Sequence, residues 1–384
     1  MKQKIAITAI ASASALGQNP ETIWHNHLSN ESFISNKKID GKNQIVASIP
    51  DELNLELEQL RISDSKYKSL DRSVLLAILT SRQAIKNAGW KTNDDFGINI
   101  GSSRGATELF EKHHQEFLAT GKTATLASPT TTLGNISSWV AHDLGSQGPA
   151  ISHSVTCSTA MHAILNGVVW MQAGMATKFL VGGSEAPLTN FTIAQMQALK
   201  IYSKLDTTYN CLALDLEKKT NTMVLGEGAA MACLELGETK NALCYLEGIG
   251  YGTDVLKHNI SISEDAECFQ KSMKMALQDI DYKAIDVIVM HAPGTIKGDL
   301  SEYKAIQKLF GEKLPLLTTN KWKIGHTLGA SGMLSIEMAI MMLQNQEFVG
   351  IPYLNFPNQK KQIKKVLINA VGFGGNAVSV LLGI

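Results

Sequence analysis

The stretch AISHSVTCSTAMHAILNGVVWMQAGMATKFLVGG, Ala150 to Gly183, decides the fold class. It opens on a β-type run, Ala150 to Val155, and passes Cys157. It then continues as an apolar helical run of small residues and returns to a β-type run at Phe179 to Val181. Strand, helix and strand in that order are the building block of sheets with parallel neighbours. This is also the most apolar long stretch of the chain. His162, Asn166, Gln172 and Lys178 interrupt it, so Thr159 to Gly183 reads as a buried core helix followed by a strand and not as a membrane span.

The same alternation extends in both directions. Strands are expected at Ile5 to Ile10, Gly97 to Gly101, Ala150 to Val155, Phe179 to Val181, Ala229 to Leu234, Ala242 to Ile249, Ile285 to Met290, Leu314 to Thr318, Val366 to Ala370 and Ala377 to Leu382. Helical patterns fall between them. In Ser69 to Ala88 the residues Leu70, Val74, Ala77, Ile78, Ser81, Ile85 and Ala88 recur at helical spacing, and Gly89 supplies a stop. Polar residues crowd Asn30 to Lys68 and Ser203 to Asn221, which reads as two surface insertions. A loose symmetry about Gly237 suggests a duplication, with halves of 1–236 and 237–384.

Composition narrows the function. The 384 residues exceed one simple core, so two domains or a large duplicated one are expected. Lysine plus arginine and aspartate plus glutamate each total 35, leaving no net charge to gather nucleic acid. With 44% hydrophobic and 18% charged residues the chain has little polar surface to spare, and a large subunit interface is expected. The cysteines are Cys157, Cys211, Cys233, Cys244 and Cys268, an odd number without paired-motif spacing. That usage fits a reducing, cytoplasmic setting. Met1 to Ile10 lacks the pattern of a signal peptide.

Four loops, each trailing a β-type run, hold chemically capable residues. Cys157 sits between such a run and a helix start, where unpaired N–H groups and the helix dipole favour a thiolate. Its alternative is a buried inert cysteine, the commoner fate of a free thiol. His291 opens His-Ala-Pro-Gly-Thr-Ile-Lys-Gly-Asp, and His326 lies in the glycine-flanked Asn-Lys-Trp-Lys-Ile-Gly-His-Thr-Leu-Gly-Ala-Ser-Gly, which feeds the helical run Met333 to Leu343. For each histidine alone a structural role is equally open. The remaining eight, such as His113 and His114, read as surface residues. The fourth loop, Asn369 to Asn376, is glycine-rich around Phe373 and permits aimed backbone N–H groups. A parallel or mixed sheet would bring all four to one rim.

These blocks, in this order, resemble the elongating β-ketoacyl-acyl-carrier-protein synthases, condensing enzymes of the thiolase fold with a Cys-His-His triad. The resemblance runs over nearly the whole chain. It is carried by Ile7 to Gly17, Leu126 to Gly148, Thr156-Cys157-Ser158, Leu225 to Ala229, the block at His291, Lys321 to His326 and Gly372 to Gly375. It implies a duplicated α/β fold in five layers, α-β-α-β-α. It also implies that Cys157 takes the acyl chain, that His291 and His326 polarise the extender thioester, and that Lys321 orders the histidines. The N–H groups of Cys157 and Phe373 would form the oxyanion hole, with Phe373 also a gate. Thr295, Gly372, Gly374 and Arg104 would meet substrate. No metal and no bound cofactor is implied, because the phosphopantetheine arm arrives on an acyl carrier protein. The other expected partner is a second copy or a chain-length-factor-like subunit, with neither nucleic acid nor membrane.

Several positions depart from the family. Pro293 replaces the first threonine after His291, Ser335 stands where a glutamate is usual with Glu337 two residues on, and Ala213 to Met223 replaces an arginine-rich segment. Arg104 occupies a place usually aliphatic or small. A buried guanidinium is costly unless it reaches solvent, a carboxylate or a polar partner. These departures point to a specialised pathway, such as aryl-polyene or other polyketide synthesis, ahead of housekeeping fatty-acid elongation. A thiolase would need a second cysteine within Gly372 to Asn376, a starter synthase an asparagine at position 326, and a non-catalytic chain-length factor typically lacks the nucleophile.

Overall fold

The computed structural model describes residues 3–91, 94–133, 135–255, 263, 265–278, 280–354 and 356–384. All ten expected strands form, and we number them in chain order: β1 Ile5–Ala13, β2 Gly97–Gly101, β3 Ala150–Ile151, β4 Lys178–Glu185, β5 Gly228–Leu236, β6 Cys244–Thr253, β7 Val287–Val289, β8 Leu316–Thr318, β9 Lys365–Gly372 and β10 Asn376–Gly383. Hydrogen bonding links them in the order β8-β7-β9-β10-β6-β1-β5-β4-β2-β3. Read from either outer edge the pattern is the same. In each half the two outermost pairings are parallel, and the pairings toward the middle are antiparallel. The halves meet in a short antiparallel seam in which Ile5, Ala6 and Ile7 face Leu246, Tyr245 and Cys244.

Helices complete the layers. We label α1 Arg72–Ala88, α2 Thr107–Thr120, α3 Asn135–Leu144, α4 Thr159–Gln172, α5 Asn190–Ala198, α6 Glu267–Leu277, α7 Ile296–Phe310 and α8 Ser331–Asn345. Of these, α4 and α8 pack on each other and on strands of both halves, forming the central layer. Helix α1 covers β1, β4 and β5, whereas α6 covers β6 and β10. The middle position explains composition: every residue of α8 from Ser331 to Leu343 is buried, so apolar residues occupy all its faces where a surface helix is striped, with Ser331, Ser335 and Glu337 as buried polar exceptions. α1 starts as its sequence dictates, with Asp71 accepting from the Ser73 N–H, and ends at Gly89, whose φ of 67° is the left-handed stop.

Two expectations about extent are corrected. The run Ala150 to Val155 is a strand only over Ala150–Ile151. Beyond it, Ser152 Oγ accepts from the Ser137 N–H and the His153 ring meets Asn99, so side chains replace the ladder. The polar segment Asn30 to Lys68 is less superficial than expected. It holds a hairpin, Ser35–Ile39 with Lys42–Val46, and a helix, Asp51–Ser63, that buries Leu53, Leu57 and Leu60.

Candidate active site

Three loops at one rim carry the candidate residues, and each contains a non-glycine residue in left-handed backbone. Thr156, φ 49°, precedes Cys157; Ala292, φ 26°, follows His291; Leu328, φ 41°, lies two residues past His326. Such angles cost about 1–3 kcal/mol each and persist only where the surroundings enforce them. The surroundings do so here. Glu302 on α7 accepts from the N–H groups of His291 and Ala292 at 3.0 and 2.9 Å, and from the Asn369 side chain at 3.2 Å. The His326 N–H donates to Val224 O at 2.6 Å while its carbonyl accepts from Gly226. A Cβ on Gly372 would fall 1.8 Å from Thr156 Oγ1, so only glycine lets the Phe373 loop approach the cysteine loop.

The consequence is one cavity of about 510 Å³ lined by Cys157, His291, His326, Thr295, Gly372 and Phe373 together. The two imidazole rings stand edge to face with centroids 5.1 Å apart. Met196, Leu199, Ile201 and Met223 give the same cavity an apolar wall, and Pro293 and Asn221 also line it. Thr295 caps α7, its Oγ1 accepting from the Gly298 N–H. Phe373 is 39% exposed, as a side chain at an entrance would be. Lys321 is buried behind the wall; its ammonium donates to Asn320 Oδ1 at 2.9 Å and to Ser335 Oγ at 3.3 Å. Ser335, at the position where the sequence resemblance expected a glutamate, is thus one of the two partners of this lysine. Glu337 turns elsewhere, accepting from Ser12 Oγ at 2.7 Å.

Arg104 and Gly374 are not among the cavity-lining residues. The half-buried Arg104 guanidinium donates to the side-chain oxygen of Gln195 on α5, and its charge is felt at Cys157. A neutral amide is therefore its partner, not a carboxylate. Gly374, φ 93°, shapes the turn after Phe373.

Electrostatics correct one expectation. The helix end was expected to favour a Cys157 thiolate, yet burial pushes the thiol up to about 12, with Glu185 adding to the rise. Lys321, Arg104 and the Phe373 N–H pull the other way and lose. In the resting protein Cys157 is a thiol. Burial holds both histidines neutral, His326 at about 3 and His291 well below its ordinary value, with Lys321 lowering each further. Neutral imidazoles are ring N–H donors without a full charge, the form suited to a developing oxyanion. The surface assignment of the other histidines also fails in part: His27 is 2% exposed, and His153 and His162 are half-buried.

Sequence reasoning missed Glu302, the clamp on His291. Asp299 and Glu302 lie three residues apart on α7, just beyond the histidine loop, so one helical face was the available signal. It also missed the buried pair of Lys218 and Asp299 at 2.7 Å, which joins the segment after Ser203 to the loop at Gly294. Among the described residues no cluster of histidine, cysteine, aspartate or glutamate is arranged to hold a metal ion. No helix among them is long and apolar enough to cross a membrane.

A thiol and two neutral imidazoles on one cavity form an arrangement suited to acyl transfer, and comparison with known proteins agrees. The family model for the N-terminal domain of β-ketoacyl synthases matches residues 2–240, and that for the C-terminal domain matches 243–356. The chain belongs to the β-ketoacyl synthase family. As a β-ketoacyl synthase it is an acyltransferase of the condensing kind. A relative from Staphylococcus aureus (strain N315), 3-oxoacyl-[acyl-carrier-protein] synthase 2, is 28% identical over 406 residues, covering 98% of each chain. Among solved structures, the ishigamide ketosynthase/chain length factor superposes with a TM-score of 0.88 at 19% identity, and a β-ketoacyl synthase from Burkholderia phymatum STM815 with 0.87 at 21%. Each covers 99% of both chains. The thiolase-like fold expected from the sequence is the fold observed.

Proposed function

We propose that this β-ketoacyl synthase elongates an acyl group held on Cys157 with two carbons from a malonyl-carrier protein. The observation that carries the reading is the single cavity shared by Cys157, His291, His326 and Phe373. In the first half-reaction the Cys157 sulfur attacks the carrier thioester, its proton passes to the departing carrier thiol, and an acyl-enzyme forms. In the second, malonyl thioester loses carbon dioxide. The resulting enolate oxygen is held by ring N–H groups of His291 and His326, and its carbon attacks the acyl-enzyme carbonyl. The tetrahedral oxygen then lies against the N–H groups of Cys157 and Phe373, and the thiolate leaves as product forms, taking a proton from solvent to restore the resting thiol. Lys321, pulled by burial to about 8, lends positive charge beside both histidines.

The phosphopantetheine arm comes with the acyl carrier protein, passing Thr295 and Phe373. No resident cofactor enters these steps. The working unit is a dimer, of identical chains or with a chain-length-factor-like subunit, the pairing named for the ishigamide protein. We assign the halves to 1–236, supplying the nucleophile, and 237–384, supplying the histidines.

Arg104, Pro293 and Ser335 support a specialised polyene or polyketide pathway. The name of the Staphylococcus aureus relative favours the second reading, fatty-acid elongation. Turnover with saturated, polyenoyl and aryl-primed carriers separates them, and preference for long saturated chains overturns the first. The broader reading is tested by incubation with acyl-carrier thioesters, intact-protein mass spectrometry and peptide mapping. Acylation confined to Cys157 is expected; an unchanged mass with several donors would overturn catalysis in favour of a structural subunit.

A further inference from the structure

The turn Lys321–Ile324 buries two lysines that serve different sides. Lys321 faces the histidines, whereas Lys323, 1% exposed, faces away from them. Its ammonium donates to Ser29 O at 2.5 Å, Glu31 O at 2.9 Å and Ser29 Oγ at 3.2 Å. It also lies 4.3 Å from the Trp322 ring centroid and 5.7 Å from that of Phe33. No carboxylate forms an ion pair with it among the described residues. Two more bonds run between the same segments: Ser32 Oγ donates to Trp322 O at 2.8 Å, and the Phe33 N–H to Lys323 O at 2.9 Å. Residues 29–33 thus form a strap across the back of the turn that delivers Lys321 and His326.

Burial lowers Lys323 to about 7, the cost of setting an amine among neutral oxygens where a methionine would pack without desolvating a polar group. What the lysine adds is direction, because bonds from one nitrogen to Ser29 and Glu31 fix the strap to the turn. The turn is short, and Gly325 after it sits at φ 63° with its α-carbon environment crowded by Val224 O. Rotation there would move His326 against His291. Among the described residues no hydrogen bond joins the strap to the Cys157 loop.

We propose that Lys323 is a positioning residue for the decarboxylation half-reaction, holding Lys321 and His326 in register through the strap at residues 29–33. The inference rests on the function proposed above and divides it. The role predicts a split between the half-reactions that a general loss of stability would not produce.

The test uses full-length Lys323→Met and Ser32→Ala proteins, with acyl loading of Cys157 followed by intact mass and carbon dioxide release followed from malonyl-carrier protein. For Lys323→Met, loading should stay within about threefold of the parent, while the decarboxylation kcat falls at least tenfold at unchanged KM. Ser32→Ala, which removes the strap's side-chain bond to Trp322 O and a local bond from the Ile34 N–H while keeping the lysine, should show the same split at roughly two- to fivefold, and it decides the matter if Lys323→Met does not fold. Parallel loss of both half-reactions, or loss of neither, would overturn the proposal. Failure of the parent protein to load Cys157 would instead overturn the function on which it rests.

Discussion

The two halves of the sheet repeat one strand order but end in different chemistry. The loop after β2 carries Arg104, and the loop after its counterpart β7 carries His291. The segment between β3 and the central helix α4 carries Cys157, and that between β8 and the central helix α8 carries His326. Strand β4 ends on Glu185, which accepts from backbone N–H groups of Arg104 and Gly329, and β9 ends on Gly372, beside Phe373. The repeated strand order therefore puts equivalent loops at one rim, and the cavity is lined by those bearing Cys157, His291, His326 and Phe373 but not by Arg104 or Glu185. What each loop does depends on the residue at its tip and on how deeply burial suppresses that residue's charge.

That contrast can be broken by removing the tips one at a time. Cys157→Ala should abolish acyl loading and condensation while leaving carbon dioxide release from malonyl-carrier protein, since on the proposed chemistry enolate formation calls only on His291 and His326. His291→Ala or His326→Ala should do the reverse, slowing decarboxylation about a hundred- to a thousandfold with loading of Cys157 retained. Separate assays of the two half-reactions check both, and equal loss of both in every variant would contradict a division of labour.

A smaller effect sharpens the support beneath the second half. Glu302→Ala strands the buried N–H groups of His291 and Ala292, at about 1–3 kcal/mol for each unpaired group. Chemical denaturation should report the loss in stability, together with slower decarboxylation. The smallest effect concerns the first half. With the Cys157 thiol at about 12, the thiolate fraction rises with pH across the accessible range. Alkylation by iodoacetamide should accelerate about tenfold per pH unit between 7 and 9, without levelling. A plateau near neutrality would mean that the helix end outweighs burial after all.

The legible part of this architecture was whatever hydrophobic periodicity writes into short windows. All ten main strands and the apolar core helix α4 could be read so, as could the four loops, because a strand's end and a glycine cluster are local. Their meeting at one cavity was an inference from sheet geometry and from ordered resemblance. Burial of polar groups was not legible. Lys218 and Asp299 are 81 residues apart and each looks like a surface charge until the fold closes. His27 lies in the helix Pro20–Leu28, whose pattern does not distinguish a sealed ring from a solvated one. The length of β3 failed because Ser152 and His153, β-compatible by pattern, found side-chain partners instead. Cys157 was placed correctly in the chain, but its charge state was set by enclosure, which no neighbouring residue encodes.

The size of the cavity orders events in time. A space of about 510 Å³ suits one drug-sized occupant, and both the sulfur and the imidazoles face it. On the proposed chemistry, the carrier arm that loads the enzyme must depart before the extender arm enters. Steady-state plots at several fixed co-substrate levels should then run parallel, and excess extender should inhibit by occupying the doorway before loading.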